Sequence, residues 1–139
     1  MIVVDTNVIS EPMRSRPDTK VQAWLNNQAL STLFLTSVSQ AELMVGVEML
    51  PDGQRKRTMA SEMDALLESM FRARILPFTS DAAKIYAIAV ASARKAGFNT
   101  GIADGQIASI AIANGFSVAT RDQAAFEALG ATVINPWAT

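Results

Sequence analysis

Four acidic residues stand where an α/β domain could present carboxylates to a ligand. Asp5 and Asp122 each follow a short apolar run that is predicted to be a strand. Glu42 and Asp104 fall in the first turns of two predicted helices. In an open α/β sheet, ligands bind beyond the carboxyl ends of the strands, so all four side chains could converge at one edge.

Four carboxylates gathered in one place would be stable only if a cation offset their charge. Two carboxylates about 4 Å apart repel by roughly 4 kcal/mol at a surface-like effective dielectric constant. A divalent ion would offset this repulsion, polarise a phosphoryl oxygen and lower the pKa of a bound water. Carboxylate ligands suit Mg²⁺ or Mn²⁺. We therefore interpret the four acids as a candidate divalent-metal site.

The composition excludes most other catalytic chemistries. The 139-residue chain contains neither histidine nor cysteine, which removes the commonest general base, thiolate nucleophiles, disulfides and cysteine-rich zinc sites. The formal net charge is −1, so the chain as a whole does not attract nucleic acid. A nucleic-acid substrate would need a local positive patch or a bound metal to offset its phosphate charge.

Apolar patterning predicts strands that alternate with helices along the whole chain. Short apolar runs predict strands at 2–4, 33–35, 75–78, 117–119 and 132–134. Helical spacing and capping residues predict helices at about 18–28, 39–50, 54–72, 80–96 and 103–114, and two short ones after residues 5 and 122. This alternation predicts a single α/β domain over residues 1–139, a three-layer α/β/α sandwich around a central, mainly parallel sheet.

Each acid also has a purely structural interpretation. Ser39 is predicted to open its helix, and Glu42 lies three residues later, which is the spacing of a capping box. Asp5 and Asp122 could cap the helices that follow them, and Asp104 could complement a helix dipole. Each acid taken alone favours the structural interpretation. The functional interpretation depends on the four acids together.

Polar and basic neighbours of the acids are open to two interpretations. Thr6 and Asn7 could orient the first acid or donate to a phosphate, and they could equally form a turn. Thr120 and Arg121 precede the last acid, where Arg121 could contact a phosphate or remain a solvated charge. The dense basic run at 55–57 is more typical of a solvated helix face than of a nucleic-acid contact.

Nothing in the sequence predicts an association with a membrane. The apolar runs are too short to span a bilayer. The N-terminus lacks the basic region and long apolar stretch of a secretory signal. We therefore expect a cytoplasmic protein.

Several segments resemble PIN-domain ribonucleases, and more narrowly the VapC-type toxins of bacterial type II toxin–antitoxin systems, in the branch that includes FitB. They are Val-Val-Asp5-Thr-Asn-Val-Ile-Ser-Glu-Pro, Ala41-Glu42-Leu43 with Gly46, Ala103-Asp104 followed after one glycine by Gln-Ile-Ala-Ser-Ile-Ala, Val-Ala-Thr120-Arg-Asp122, and the closing Val-Ile-Asn135-Pro136-Trp137. The likeness covers nearly the whole chain.

The resemblance implies a PIN-like fold and endonucleolytic cleavage of RNA that depends on Mg²⁺ or Mn²⁺. Position by position, the chain matches the metal-binding acidic quartet of the family at Asp5, Glu42, Asp104 and Asp122. It matches the supporting polar positions of the family site at Thr6, Asn7 and Thr120.

The resemblance also implies protein partners. It implies a homodimer, and a heterotetramer or larger assembly with an antitoxin. The C-terminal segment of that antitoxin would lie across the toxin, and its N-terminal part would bind operator DNA.

Two alternative functions remain open at this point. The first is a catalytically weak PIN-like module that mainly binds an antitoxin for operator repression. The second is a Mg²⁺-dependent phosphatase or phospho-acceptor domain of similar topology. That class commonly has an acid two residues after its nucleophilic aspartate and a lysine after a late strand. This chain has Asn7 at the first place and no lysine after Lys95.

The chain departs from the family pattern at two positions. Many relatives have alanine after the third acid, where this chain has Gly105, and we expect the glycine to loosen the helix start by up to about 1 kcal/mol relative to alanine. Many also carry a further acid just before the phenylalanine that follows the last motif. Ala125 occupies that place here, so Asp122 is predicted to serve as the fourth acid, with one or two metals per site.

Overall fold

A five-stranded sheet forms the centre of the protein in a computed structural model that describes residues 1–138. The strands are β1 (Ile2–Val4), β2 (Leu33–Thr36), β3 (Ile75–Leu76), β4 (Ser117–Ala119) and β5 (Val133–Ile134). Their order is β3-β2-β1-β4-β5, and every neighbouring pair is parallel. The predicted central parallel sheet is therefore confirmed, with β1 in its middle.

Seven α-helices connect the strands within residues 1–138. They are α1 (Thr6–Ser10), α2 (Thr19–Asn26), α3 (Ser37–Glu48), α4 (Gln54–Met70), α5 (Ser80–Lys95), α6 (Ile102–Ala113) and α7 (Gln123–Ala128). Two short 3-10 helices cover Glu11–Met13 and Leu30–Thr32. None of the helices described is both long enough and apolar enough to cross a membrane.

One helix begins earlier than the sequence predicts. Thr36, the last residue of β2, caps α3, and its hydroxyl accepts the Ser39 backbone N–H at 3.0 Å. Thr79 caps α5 in the same way, with its hydroxyl accepting the Ala82 backbone N–H at 3.1 Å. Both threonines have the extended backbone of an N-cap residue. Because α3 starts at Ser37, Glu42 lies in its second turn, so the expectation of a first-turn position is wrong and the capping-box interpretation does not hold.

Apolar side chains cover both faces of the sheet and make it the middle of three layers. Val3 and Val4 point to opposite faces of β1, as neighbouring strand residues must. The cluster around Val4 is formed with β2 and helices α1 to α4, and it includes Leu33, Leu35, Val47, Leu67 and Phe71. The cluster around Val3 is formed with α5, α6 and α7, and it includes Val90, Ile107, Ala108 and Phe126.

The parallel arrangement brings the ends of β1, β4 and β5 to the same side of the molecule, which we call the carboxyl edge. The backbone N–H of Asp5 donates to Ala119 O at 2.9 Å, just past the end of β1. The backbone N–H of Thr120 donates to Ile134 O at 3.0 Å, just past the end of β4. These bonds fix the first residues after the strands relative to one another.

Candidate metal centre

Asp5 is a buried carboxylate at the end of the central strand. Its Oδ1 accepts the Thr6 backbone N–H at 2.8 Å, so it caps α1, and its Oδ2 accepts the Thr120 hydroxyl at 2.8 Å. Only 3% of the residue is exposed. Burial raises the pKa of Asp5 to about 6, with smaller increases from the charges of Asp104 and Asp122 and decreases from the two hydrogen bonds. The capping role is present, but it leaves a carboxylate whose charge is poorly solvated.

Asp122 reaches the same edge from the segment that follows β4. Its Oδ2 accepts a hydrogen bond from Asn7 Nδ2 at 3.2 Å, and its backbone N–H donates to the Thr120 hydroxyl at 3.0 Å. Although Asp122 occupies the N-cap position of α7, its side chain makes no capping bond to the described residues of that helix. Side-chain capping of α7 therefore does not explain why a carboxylate lies at this position.

Asp104 lies in the first turn of α6 and is half-buried. Burial is the largest cause that raises the pKa of its carboxyl, followed by the charges of Asp122 and then Glu42. A helix dipole alone would favour the charged form of a first-turn acid. The raised pKa therefore comes from burial and from the charges of the two neighbouring acids.

Three of the four acids come together closely enough to share an ion. One carboxylate oxygen from each of Asp5, Asp104 and Asp122 can be chosen so that all three lie within 4.8 Å of one another. The residues come from three distant chain segments, at the ends of two neighbouring strands and the start of α6. Carboxylate oxygens at this spacing form a donor set suited to a hard divalent cation.

Glu42 lies beside this group of three without joining it. Its Oε1 accepts the hydroxyl of Thr6 at 2.7 Å, a bond between α1 and α3. Its carboxylate is near enough to raise the pKa of Asp104 by charge repulsion. Glu42 is exposed to solvent, unlike the buried Asp5.

Each of the three supporting polar residues predicted from the sequence bonds to one or more of the acids. Thr6 donates to Glu42, and Asn7 donates to Asp122. The carbonyl oxygen of the Asn7 side chain also accepts the Arg121 backbone N–H at 3.4 Å. Thr120, which is fully buried, donates to the first acid and accepts from the last. The alternative of simple turn formation does not account for these long-range side-chain bonds.

A family model described as PIN domain matches residues 2–131 of the chain. The chain belongs to the PIN domain family. This PIN domain is 47% identical over 137 residues to the plasmid stability protein StbB of Pseudomonas syringae pv. tomato, covering 99% of each chain. It is 44% identical over 137 residues to the VapC ribonuclease Y4jK of Sinorhizobium fredii, covering 99% of this chain and 98% of the relative.

Solved structures agree with this membership. The crystal structure of FitAcB from Neisseria gonorrhoeae superimposes on this PIN domain with a TM-score of 0.95 at 40% identity, covering 100% of both chains. The structure of FitAB bound to an IR36 DNA fragment gives a TM-score of 0.94 at 40% identity, covering 99% of this chain and 96% of that one. The resemblance to the VapC and FitB branch of PIN domains is thereby confirmed.

Gly105, where this PIN domain departs from the pattern expected of its relatives, allows two helices to pack closely. A Cβ atom added there would lie 2.8 Å from Tyr86 Cε2 and 3.1 Å from Val90 Cγ2, both on α5. The expectation that the glycine merely loosens the start of α6 is therefore incomplete. Its missing side chain makes room for the Tyr86 ring beside the helix that carries Asp104.

The basic run of this PIN domain is largely engaged with its own surface. Lys56 forms ion pairs with Glu48 at 3.5 Å and Asp52 at 3.4 Å. Arg57 donates to the side-chain oxygen of Gln54 at 3.2 Å. Arg55 and Arg57 are exposed, as a solvated helix face requires, whereas Lys56 is partly buried.

Sequence reasoning missed one contact at the carboxyl edge. The guanidinium carbon of Arg121 lies over the ring of Trp137, 5.3 Å from the ring centroid. This is the geometry of a cation–π interaction. No local spacing predicts this contact, because Arg121 and Trp137 meet only when β4 and β5 lie side by side. The closing Asn-Pro-Trp segment was the one sequence signal for it.

Proposed function

We propose that this protein is an endoribonuclease dependent on Mg²⁺ or Mn²⁺ and the toxin of a type II toxin–antitoxin pair. The observation that carries the proposal is the set of three carboxylates whose oxygens lie within 4.8 Å of one another. The VapC ribonuclease that is 44% identical over nearly the whole chain supports the same activity. The reaction is hydrolysis of an RNA phosphodiester, in which a water oxygen bonds to phosphorus and one P–O bond breaks.

The donor set fits a hard divalent ion held by Asp5, Asp104 and Asp122. All the ligands are carboxylates, and the chain has no histidine or cysteine to favour a softer metal. The pKa values of Asp5 and Asp104 are raised, so the protein alone does not fully stabilise their charged forms. A nearby cation would favour those charged forms. We assign Glu42, which lies close enough to affect Asp104, to the same site as its fourth acid.

The polar residues of the site hold the carboxylates in place before any substrate arrives. Thr120 and the Thr6 backbone N–H each bind one oxygen of Asp5, which fixes the orientation of that carboxylate. Asn7 binds one oxygen of Asp122 and leaves the other for a ligand. Ligands oriented in this way lose little freedom when they bind an ion. Such an ion, when bound, supplies Lewis-acid activation of the phosphoryl group and a water of lowered pKa.

We further propose that the protein assembles with an antitoxin, as a homodimer within a heterotetramer or larger complex in the cytoplasm. The support is the likeness over nearly the whole chain to FitAcB and to FitAB bound to DNA. The net charge of −1 offers operator DNA no general attraction, so the antitoxin would provide the DNA contact. Co-expression with the product of the neighbouring gene, followed by size-exclusion chromatography and operator binding, tests this assembly.

Expression in a bacterial host tests the toxin assignment. The wild-type protein should arrest growth, and Asp5→Asn should abolish the arrest while accumulating as folded protein. Asp64→Asn, which makes the same chemical change at an exposed position on α4, is the matched control and should stay toxic. Full toxicity of Asp5→Asn would contradict the proposal.

The alternative of a catalytically weak partner module is favoured by the DNA-bound FitAB structure, in which a 40% identical chain takes part in a DNA complex. It predicts that the wild-type protein binds the antitoxin and supports operator binding but neither arrests growth nor cleaves RNA. Nuclease assays on antitoxin-free protein therefore separate the two functions.

A further inference from the structure

We propose that Arg121 contacts a phosphate of the nucleic-acid substrate and that Trp137 holds its guanidinium group beside the metal centre. This inference rests on the proposed nuclease function and adds a substrate-binding residue to it. The guanidinium carbon of Arg121 lies 5.3 Å from the centroid of the Trp137 ring.

The backbone places Arg121 at the carboxyl edge next to the acids. It is the second residue after β4 and directly precedes Asp122. Its backbone N–H donates to Asn7 Oδ1 at 3.4 Å, while Asn7 Nδ2 donates to the Asp122 carboxylate. One asparagine side chain thus anchors both the arginine backbone and an acid of the proposed site.

Trp137 is itself held in place just beyond the end of β5. Its backbone N–H donates to Asn135 Oδ1 at 3.0 Å, and the backbone N–H of Ala138 donates to Asn135 O at 3.0 Å. The indole packs against the apolar cluster around Val4 and is half-buried. The ring is therefore a fixed surface against which a mobile arginine side chain can settle.

The guanidinium group of Arg121 keeps its N–H donors available. The residue is exposed, and its side chain forms no ion pair with the carboxylates of residues 1–138. An aromatic ring face has no oxygen acceptor, so the contact with Trp137 leaves the N–H groups to another ligand. Arginine combines both roles well, because its planar group packs on aromatic rings and forms paired hydrogen bonds to phosphate.

The charge of the site explains why such a contact is needed. The three clustered acids repel a phosphate, and the net charge of −1 gives no general attraction. Arg121 places a cation one residue from Asp122, where the backbone of a bound RNA would approach the carboxylates. A phosphate neighbouring the scissile one is the ligand that this chemistry selects.

RNA binding without cleavage tests the contact. A fluorescein-labelled single-stranded RNA is titrated with chelator-treated protein, and fluorescence anisotropy is followed over a range of salt concentrations. Arg121→Gln should weaken binding by about tenfold and reduce the slope of log affinity against log salt by about 0.7. Arg121→Lys keeps the charge without the planar group, so its RNA affinity should fall between those of the wild-type protein and Arg121→Gln.

Arg72→Gln provides the matched control. Arg72 lies just before β3, at the opposite edge of the sheet, and its side chain is 79% exposed. The variant removes the same charge from the chain and should leave RNA affinity and its salt dependence unchanged.

A double-mutant cycle tests the role of Trp137. Trp137→Leu is measured in the wild-type and in the Arg121→Gln backgrounds. If the ring positions the guanidinium, Trp137→Leu weakens RNA binding only where Arg121 is present. If the ring only packs against the core, its loss lowers stability equally in both backgrounds and leaves RNA affinity unaffected. In Mg²⁺-dependent cleavage, Arg121→Gln should raise KM and change kcat little.

Three results would overturn this inference: no RNA binding by the wild-type protein, equal effects of Arg121→Gln and Arg72→Gln, or independent effects of the two residues of the pair. The proposed nuclease function is judged separately. A wild-type protein that fails to cleave RNA in Mg²⁺ refutes that function, whatever the anisotropy measurements give.

Discussion

The hydroxyl of Thr120 donates a hydrogen bond to Asp5 Oδ2 at 2.8 Å, across 115 positions of the chain. The hydroxyl oxygen of Thr120 also accepts a hydrogen bond from the backbone N–H of Asp122 at 3.0 Å. A single buried hydroxyl therefore ties together two acids that follow the neighbouring strands β1 and β4. The parallel pairing of those strands brings these acids together, and Thr120 fixes how the first one is oriented.

Thr120→Val should damage both stability and metal binding. The variant leaves the Asp122 N–H without its acceptor and Asp5 Oδ2 without its donor, beside the fully buried Thr120. We expect the free energy of unfolding to fall by about 1–3 kcal/mol. Urea denaturation measures this loss, and a Mn²⁺ titration should give a larger dissociation constant than that of the wild-type protein. Thr120→Ser keeps the hydroxyl and is the control; an equal loss in both variants would mean that the methyl group, not the hydrogen bonds, matters.

Asp5→Asn should stabilise the metal-free protein. Burial raises the pKa of Asp5 from its ordinary value of 3.8 to about 6 in the folded state. Between those pH values the folded state binds more protons than the unfolded state, so stability falls as the pH rises through the window. Asn carries no charge, and its variant should gain up to about 3 kcal/mol near pH 7, less the cost of the hydrogen bond that its amide NH2 cannot accept from Thr120.

Urea denaturation in the presence of EDTA, at several pH values across that window, checks the pH dependence. The wild-type protein should lose stability as the carboxyl ionises, whereas Asp5→Asn should show a flatter profile. If the two profiles run parallel, Asp5 is not the group that titrates.

Glu42→Gln should weaken metal binding and leave the fold intact. The Thr6 hydroxyl can still donate to the amide oxygen, and Thr36 rather than Ser39 caps α3, so no capping bond is lost. We expect the free energy of unfolding to change by less than about 0.5 kcal/mol. A Mn²⁺ titration should show lower metal affinity, and an RNA cleavage assay should show a lower rate. A large drop in stability with unchanged cleavage would instead assign Glu42 a structural role.

Gly105→Ala should destabilise the protein although alanine is the better helix former. Helix propensity alone predicts a gain of about 1 kcal/mol. The added Cβ would lie 2.8 Å from the Tyr86 ring, however, and relieving such an overlap typically costs about 1–3 kcal/mol. Gly46→Ala is the matched control in α3, where an added Cβ meets no atom within 4 Å. In thermal denaturation, Gly105→Ala should lower the melting temperature and Gly46→Ala should raise it. A higher melting temperature in both variants would contradict the packing explanation.

Much of the fold follows from local pattern. The β-branched runs, the helical spacing of apolar residues and the glycines after helices located every strand and α-helix of residues 1–138, because these signals act over a few residues. The start of α3 was missed for a local reason as well. Thr36 and Ser39 stand close together there, and the threonine at the strand end is the one that caps.

The long-range contacts of the site were less predictable. The acids were identified from their places after strands and near helix starts, but the bond of Thr120 to Asp5 depends on β4 lying beside β1. The contact of Arg121 with Trp137 depends in the same way on β5 lying beside β4. Strand order is a property of the whole chain, and apolar periodicity within each segment carries no information about it.

Metal-dependent cleavage of RNA by antitoxin-free protein tests the central claim most directly. A labelled RNA is incubated with the wild-type protein in Mg²⁺, in excess EDTA, and after Mg²⁺ is restored, with Asp5→Asn purified in parallel to detect contaminating nuclease. We predict cleavage in Mg²⁺, none in EDTA, recovery when Mg²⁺ is returned, and none by Asp5→Asn. Cleavage that persists in EDTA, or equal cleavage by Asp5→Asn, would contradict a metal site built from these carboxylates.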